Sequence, residues 1–184
     1  MINEIRWHGR GGQGVVTASR MLAQAALLDG RYVQAFPEFG PERTGAPILG
    51  FTRTGDERIR LHSHVYTPNV VVVLDPTLLE SVNVTAGLTR NGSLIVNSQK
   101  KPSQIKAELK VVGVKAFTVD ATKIALEVLG RAITNTAMLG AVVRAVPITS
   151  LESLKRAVRE RFAGNLGERN IKAIERAHDE VVTE

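Results

Sequence analysis

Residues 9 to 14 read Gly-Arg-Gly-Gly-Gln-Gly, and Gly9, Gly11 and Gly14 satisfy the spacing G-x-G-x-x-G. Residues 2–7 before the run read as a strand. Val15, Ala18, Leu22, Ala25 and Ala26 after it recur at spacings of three and four, which predicts a helix over residues 15–28, with Gly30 as its stop. A strand that feeds a helix through a glycine turn opens an α/β unit. The glycines let the backbone turn tightly and approach a phosphate, and the helix N-terminus offers free N–H groups at the positive end of its dipole. Arg10 adds a possible charge-assisted hydrogen bond. Three uses of the loop fit these residues: a dinucleotide site, a tight turn for close helix–sheet packing, and a contact with an anion or a partner.

The rest of the chain narrows the choice. Residues 32–36 predict a second strand, and Glu38 after it stands where a ribose-binding acid would. A dinucleotide-binding half would then need a second crossover helix and a third parallel strand. Instead, residues 37–47 carry three prolines and two glycines, so they form neither a helix nor a central strand. A long irregular loop in a compact fold is commonly functional or an interface. Glu38, Glu42 and Arg43 within it suit an ion-pair cluster at a subunit boundary. Residues 48–53 and 58–62 read as a β-hairpin around the Gly55-Asp56 turn.

Residues 69–74 form a valine run suited to a strand buried on both faces. Residues 94–96 and 116–119 predict two more strands, and 105–109 and 122–129 helices beside them. Asp120 stands at an N-cap position and Gly130 at a helix stop. From Asn135 the pattern is helical: Met138, Leu139, Val142 and Val143; then Leu151, Leu154, Val158 and Phe162 behind a Ser150 cap; then Ile171, Ile174, His178 and Val181. Gly140, costly inside a helix, points to a close approach by another backbone or a ligand. The expected fold is a three-layer α/β/α sandwich with a mixed, mostly parallel sheet, in one domain over residues 1–184.

Composition excludes several functions. The chain has no cysteine, so it offers no disulfide, no thiolate nucleophile and no cysteine-held iron–sulfur cluster; any cluster in a working complex must sit on another polypeptide. Its longest branched-aliphatic run is residues 70–74, far short of the roughly 20 apolar residues that span a bilayer. The N-terminus lacks the basic and apolar regions of a secretory signal, so a cytoplasmic location is expected. Net charge is +6, with a denser basic stretch at Lys155, Arg156, Arg159 and Arg161. One Trp, two Tyr and five Phe leave that stretch without the stacking platforms of a nucleic-acid binder, so it reads as a solvated helix face. His62 and His64 lack a third ligand for a metal site. His8 is placed to hydrogen-bond near the glycine loop, and His178 reads as a core or interface residue.

Taken in order, the segments 5–14 (IRWHGRGGQG), 32–43 (YVQAFPEFGPER), 44–47 (TGAP), 71–76 (VVVLDP), 119–122 (VDAT) and 135–141 (NTAMLGA) resemble the gamma subunit of 2-oxoacid:ferredoxin oxidoreductases over nearly the whole chain. The resemblance implies a complex that decarboxylates a 2-oxoacid to an acyl-CoA and passes two electrons to ferredoxin. It implies thiamine diphosphate and Mg²⁺ on alpha and beta subunits and iron–sulfur clusters on delta and beta subunits, with none of these held by this chain alone. Residues 42–47 are similar to the pyruvate branch, while a branched-chain or 2-oxoglutarate branch, or a gamma chain shared between enzymes, stays open. Many relatives carry a second arginine where this chain has Thr44. The implied role is assembly and shaping of the CoA side of the active site. Its expected residues are Gly9, Arg10, Gly11, Gly12, Gln13 and Gly14, with Glu42 and Arg43 at the edge and no catalytic residue. A purely architectural partner and a stand-alone NAD(P)-dependent protein are the competing readings.

Overall fold

A computed structural model describes residues 2–38 and 44–184. In chain order its elements are β1 (Ile2–Arg10), α1 (Val15–Leu28), β2 (Tyr32–Pro37), β3 (Pro47–Gly55), β4 (Val70–Val73), α2 (Leu78–Ser81), β5 (Ser93–Asn97), α3 (Pro102–Leu109), β6 (Lys115–Val119), α4 (Ala121–Leu129), α5 (Asn135–Ala145), α6 (Leu151–Arg161), α7 (Gly164–Glu180) and β7 (Val182–Thr183). The seven strands form one sheet in the order β2-β3-β1-β4-β5-β6-β7. β1, β4, β5 and β6 pair in parallel, whereas β1–β3, β2–β3 and β6–β7 are antiparallel. The mixed α/β sheet expected from the sequence is present, and three of its six pairings are parallel.

Alternation along the strands separates two cores. Ile5, Trp7, Val70, Val72 and Ile95 join α1, α4, α5, α6 and α7 in the larger cluster. Val71, Val73, Leu94 and Val96 pack on the other face with Leu78 of α2 and Ile105 of α3. The side-chain period of a strand produces this split, so one valine run serves both cores.

The predicted caps are in place. Asp120 Oδ1 accepts from Lys123 N at 2.9 Å, Ser150 Oγ accepts from Ser153 N at 3.1 Å, and Gly130 ends α4 at φ 74°. Gly140 meets the expected neighbouring backbone: a Cβ there would lie 2.2 Å from the carbonyl oxygen of Ile174, so α5 and α7 pack together at that point. Of the basic stretch, Arg156 pairs with Glu160, Arg159 with Glu168, and Lys155 with Glu152 and Glu175, as befits a solvated helix face.

One expectation is overturned. Residues 58–62 are not a strand, and β3 forms its hairpin with β2 instead. β3 already has a neighbour on each side, β2 and β1, so no edge remains for a further strand. The backbone there is satisfied by side chains: Gln34 Nε2 donates to the carbonyls of Ile59 and Leu61, and Arg53 to that of His64. His64 stacks on Phe51 with ring centroids 5.3 Å apart.

Candidate functional site

α1 and α2 leave the adjacent parallel strands β1 and β4 toward opposite faces of the sheet, since Val15 and Leu22 belong to one core and Leu78 to the other. The crevice beyond the carboxyl ends of β1 and β4 is therefore the topological switch point, where open α/β sheets usually bind ligands. The glycine loop forms one wall and Asp75-Pro76-Thr77 the other.

Here the protein's own side chains bridge the crevice. Gln13 Oε1 accepts from the Arg10 backbone N–H at 2.7 Å, while its Nε2 donates to Asp75 Oδ2 at 2.8 Å. Arg10 Nε lies 3.2 Å from the same carboxylate oxygen. The Arg10 guanidinium also donates to Thr77 Oγ1 at 2.9 Å and to the Gly45 carbonyl at 3.1 Å. Thr77 returns two bonds to Asp75 Oδ1, at 2.9 Å from its backbone N–H and 2.6 Å from its hydroxyl. Burial works to raise the Asp75 carboxyl. The bonds from Thr77 and Gln13 and the Arg10 charge outweigh it and hold the group below the usual carboxylate range.

Each glycine has its own task. A Cβ on Gly9 would meet Val15 Cγ2 at 2.4 Å, and one on Gly14, at φ 77°, would meet Asn135 Nδ2 at 2.4 Å. These two let β1, α1 and α5 approach closely. Gly12, at φ 93°, has open space around it and is exposed, so it is the outward corner of the loop. Gly11 binds the later segment: its N–H donates to Ala46 O at 2.9 Å and its carbonyl accepts from Gly45 N at 3.0 Å. The structure thus brings residues 9–14 together with 44–46. The other two expected site residues, Glu42 and Arg43, lie outside the described residues.

Glu38 is displaced from the loop. β3 lies between β2 and β1, so the acid after β2 is not beside the glycine turn as a ribose-binding residue would be. It lines a separate cavity of 310 Å³ on the thinner face, with Arg6, His8, Leu78 and Val82. Arg6 is 7 % exposed. Its Nε donates to His8 Nε2 at 3.0 Å, and its Nη2 to the carbonyls of Val84 at 3.0 Å and Ala86 at 2.5 Å. Burial, and then the Arg6 charge, push the His8 imidazole down to about 3, so it is neutral and accepts Arg6's proton bond. Sequence reading placed His8 near the loop but missed its partner Arg6. The available signal was an arginine at an inward position of a central strand.

The sequence has no cysteine, so it offers no thiolate ligand for a cluster. Among the described residues, no three His, Asp or Glu side chains gather as a metal site. No helix among them is long and apolar enough to cross a membrane.

The sheet centred on parallel strands and opened by a glycine turn places the chain among α/β folds, and similarity to known proteins gives the family. The family described as pyruvate ferredoxin/flavodoxin oxidoreductase matches residues 4–180, and the chain belongs to it. Within the family it is a gamma-type subunit. The pyruvate/ketoisovalerate oxidoreductases common subunit gamma of Thermococcus kodakarensis is 55 % identical over 179 residues, 97 % of each chain. The pyruvate synthase subunit PorC of Methanocaldococcus jannaschii is 51 % identical over 179 residues, again 97 % of each. The crystal structure of pyruvate oxidoreductase subunit PORC from Thermotoga maritima has the same fold, with a TM-score of 0.88 and 44 % identity over 100 % of this chain and 98 % of that one.

Proposed function

We propose that this chain, as a single gamma-type domain, serves a cytoplasmic complex that converts pyruvate and CoA to acetyl-CoA and CO2 while reducing ferredoxin. It does so beside alpha, beta and delta subunits that carry thiamine diphosphate, Mg²⁺ and the iron–sulfur clusters. The observation that carries this reading is the nearly full-length agreement with subunits named for pyruvate enzymes. The Thermococcus relative's name also covers ketoisovalerate, so service to a branched-chain 2-oxoacid enzyme belongs to the same reading. No residue of this chain performs the covalent chemistry, which is the cofactor's.

The chain's own part is assembly and the edge of the CoA side, through Gly9–Gly14 with Glu42 and Arg43. Gly12, the open corner at the N-terminal end of α1, supports an approaching phosphate. A second reading, purely architectural, draws on the internal bridge: Gly9 and Gly14 are accounted for by packing, and Arg10 and Gln13 hold Asp75 and Thr77.

A native pull-down of the chain, assayed for pyruvate- and CoA-dependent ferredoxin reduction, tests the assignment. Recovery of thiamine- and cluster-bearing subunits with that activity is expected. A lone chain that binds NAD(P) would overturn it. Arg10→Ala in the reconstituted complex separates the two roles: a raised KM for CoA supports the CoA-side role, and an unchanged KM with weakened assembly supports the architectural one.

A further inference from the structure

The arginines at the end of α6 and the start of α7 divide into two groups. Arg156 and Arg159 face carboxylates on the open surface. Arg161 does not; it joins Arg131 and Arg169 around a cleft of 480 Å³ between α1, the α4–α5 connection and α7. No carboxylate pairs with any of these three among the described residues. Arg169 is positioned by its Nε, which donates to the Val128 carbonyl at 2.9 Å, and Arg161 lies over the Phe162 ring at 5.4 Å from its centroid. Three cations held about one concavity repel each other unless an anion joins them.

A second observation points the same way. Asn135 also lines this cleft and is 6 % exposed. Its Oδ1 accepts from Thr136 N at 2.9 Å, but its Nδ2 has no acceptor among the described residues. No fully buried side-chain nitrogen or oxygen among those residues lacks a partner. Nδ2 therefore keeps some solvent access; it lies against Gly14, at the edge of a cleft that Asn135 helps to line, as a donor without an acceptor. Asn170, beside it, is already satisfied by Thr136 Oγ1 at 2.8 Å and by Leu166 O at 2.8 Å. Asn135 begins α5, whose dipole directs positive charge to the same place. Ile133 and Leu166 stand partly exposed along the wall.

We infer that this cleft binds the phosphate groups of a phosphorylated small molecule whose organic part rests on Ile133, Phe162 and Leu166. Arginine forks match phosphate oxygens in pairs, and the Asn135 amide supplies the neutral donor. The site is separate from the bridged crevice at Asp75.

The test titrates pyrophosphate into the full chain by calorimetry. It compares wild type, the Arg131→Gln/Arg161→Gln double variant, and Arg156→Gln as a control with a surface-paired arginine. Wild type and control should bind alike, and the double variant roughly tenfold or more weakly, with affinity falling as salt is added. No binding to the wild type, or equal binding to the double variant, overturns the proposal. Arg131 and Arg161 are exposed, so the fold should persist, which circular dichroism checks. If the chain is unstable alone, the same titration on the purified complex reads the difference between wild type and double variant. The KM for CoA in that complex then identifies the source. A raised KM in the double variant makes the ligand CoA itself, and an unchanged KM with pyrophosphate binding lost makes it a different phosphorylated molecule. A complex that fails the pyruvate assay but keeps the pyrophosphate difference rejects the proposed function and leaves the cleft standing.

Discussion

The two faces of the sheet are built from alternate residues of the same strands, yet they are held together differently. On the thick face, Ile5 and Trp7 of β1 sink into a core shared with five helices. On the thin face, the next positions are Arg6 and His8, and the cover is a four-residue helix, an eight-residue helix and loops. Apolar burial holds the first face, whereas the second joins a small apolar cluster to a buried cation satisfied by a neutral imidazole and two loop carbonyls. The first needs shape complementarity, and the second needs every polar group to be partnered.

The thick face is tested at its closest backbone approach, Gly140, and at its apolar core. Gly140→Ala forces a methyl against the Ile174 backbone, and about 3 kcal/mol of stability should be lost, read from the urea midpoint. Leu22→Ala on the thick face should cost about 3–4 kcal/mol, and Ile105→Ala on the thin face about 2 kcal/mol, both by denaturant titration. Equal costs would break the contrast, because they would mean that the thin face is as tightly packed as the thick one.

The polar side of the contrast is sharpened by pH. His8 has its folded value depressed to about 3, so the unfolded chain takes up the proton first. Its contribution is fully present above its ordinary value near 6.5 and is lost as pH falls from there toward 3. His8→Gln, which keeps an acceptor for Arg6, should flatten the fall in stability between about pH 7 and about pH 4.5.

The smallest effect is expected at Asp29, the C-cap of α1, which binds the start of α6 through Thr149 Oγ1 and Ser150 N, both at 2.6 Å, and through the Ser153 hydroxyl. Burial works to raise this carboxyl, but the bonds from Ser153, Thr149 and Ser150 outweigh it and hold it low. Asp29→Asn should cost about 1 kcal/mol near neutral pH, measured by thermal denaturation. The difference between the two proteins should shrink as pH falls through the ordinary carboxylate range toward the lowered folded value of Asp29, because the unfolded chain takes up the proton first and the folded carboxylate only below that value.

What the sequence disclosed was local. The glycine turn, the Asp120 and Ser150 caps, the Gly130 stop and the tight Gly140 contact each follow from chemistry within a few residues. Strand order was not legible, because nothing near residues 58–62 announces that β3 already has two neighbours. The same gap misplaced Glu38, which looked adjacent to the glycine loop until β3 came between them. At the site, Gln13 was singled out without its partner Asp75, which lies 62 residues on. The cleft arginines come from three separate segments and share no motif, so only folding brings them together.

The position of β1 has a consequence for how the chain is made. It sits between β3 and β4, both of which follow it in sequence, so Ile5 finds Thr52 and Val70 only after both have left the ribosome. At synthesis rates of roughly 5–20 residues per second, that interval lasts some seconds. Through it the central strand, with Trp7 at its middle, has no partner on at least one edge. Sheet closure is therefore a late, long-range step. A translation arrest before Val73 leaves a hydrophobic strand exposed to pairing with other chains.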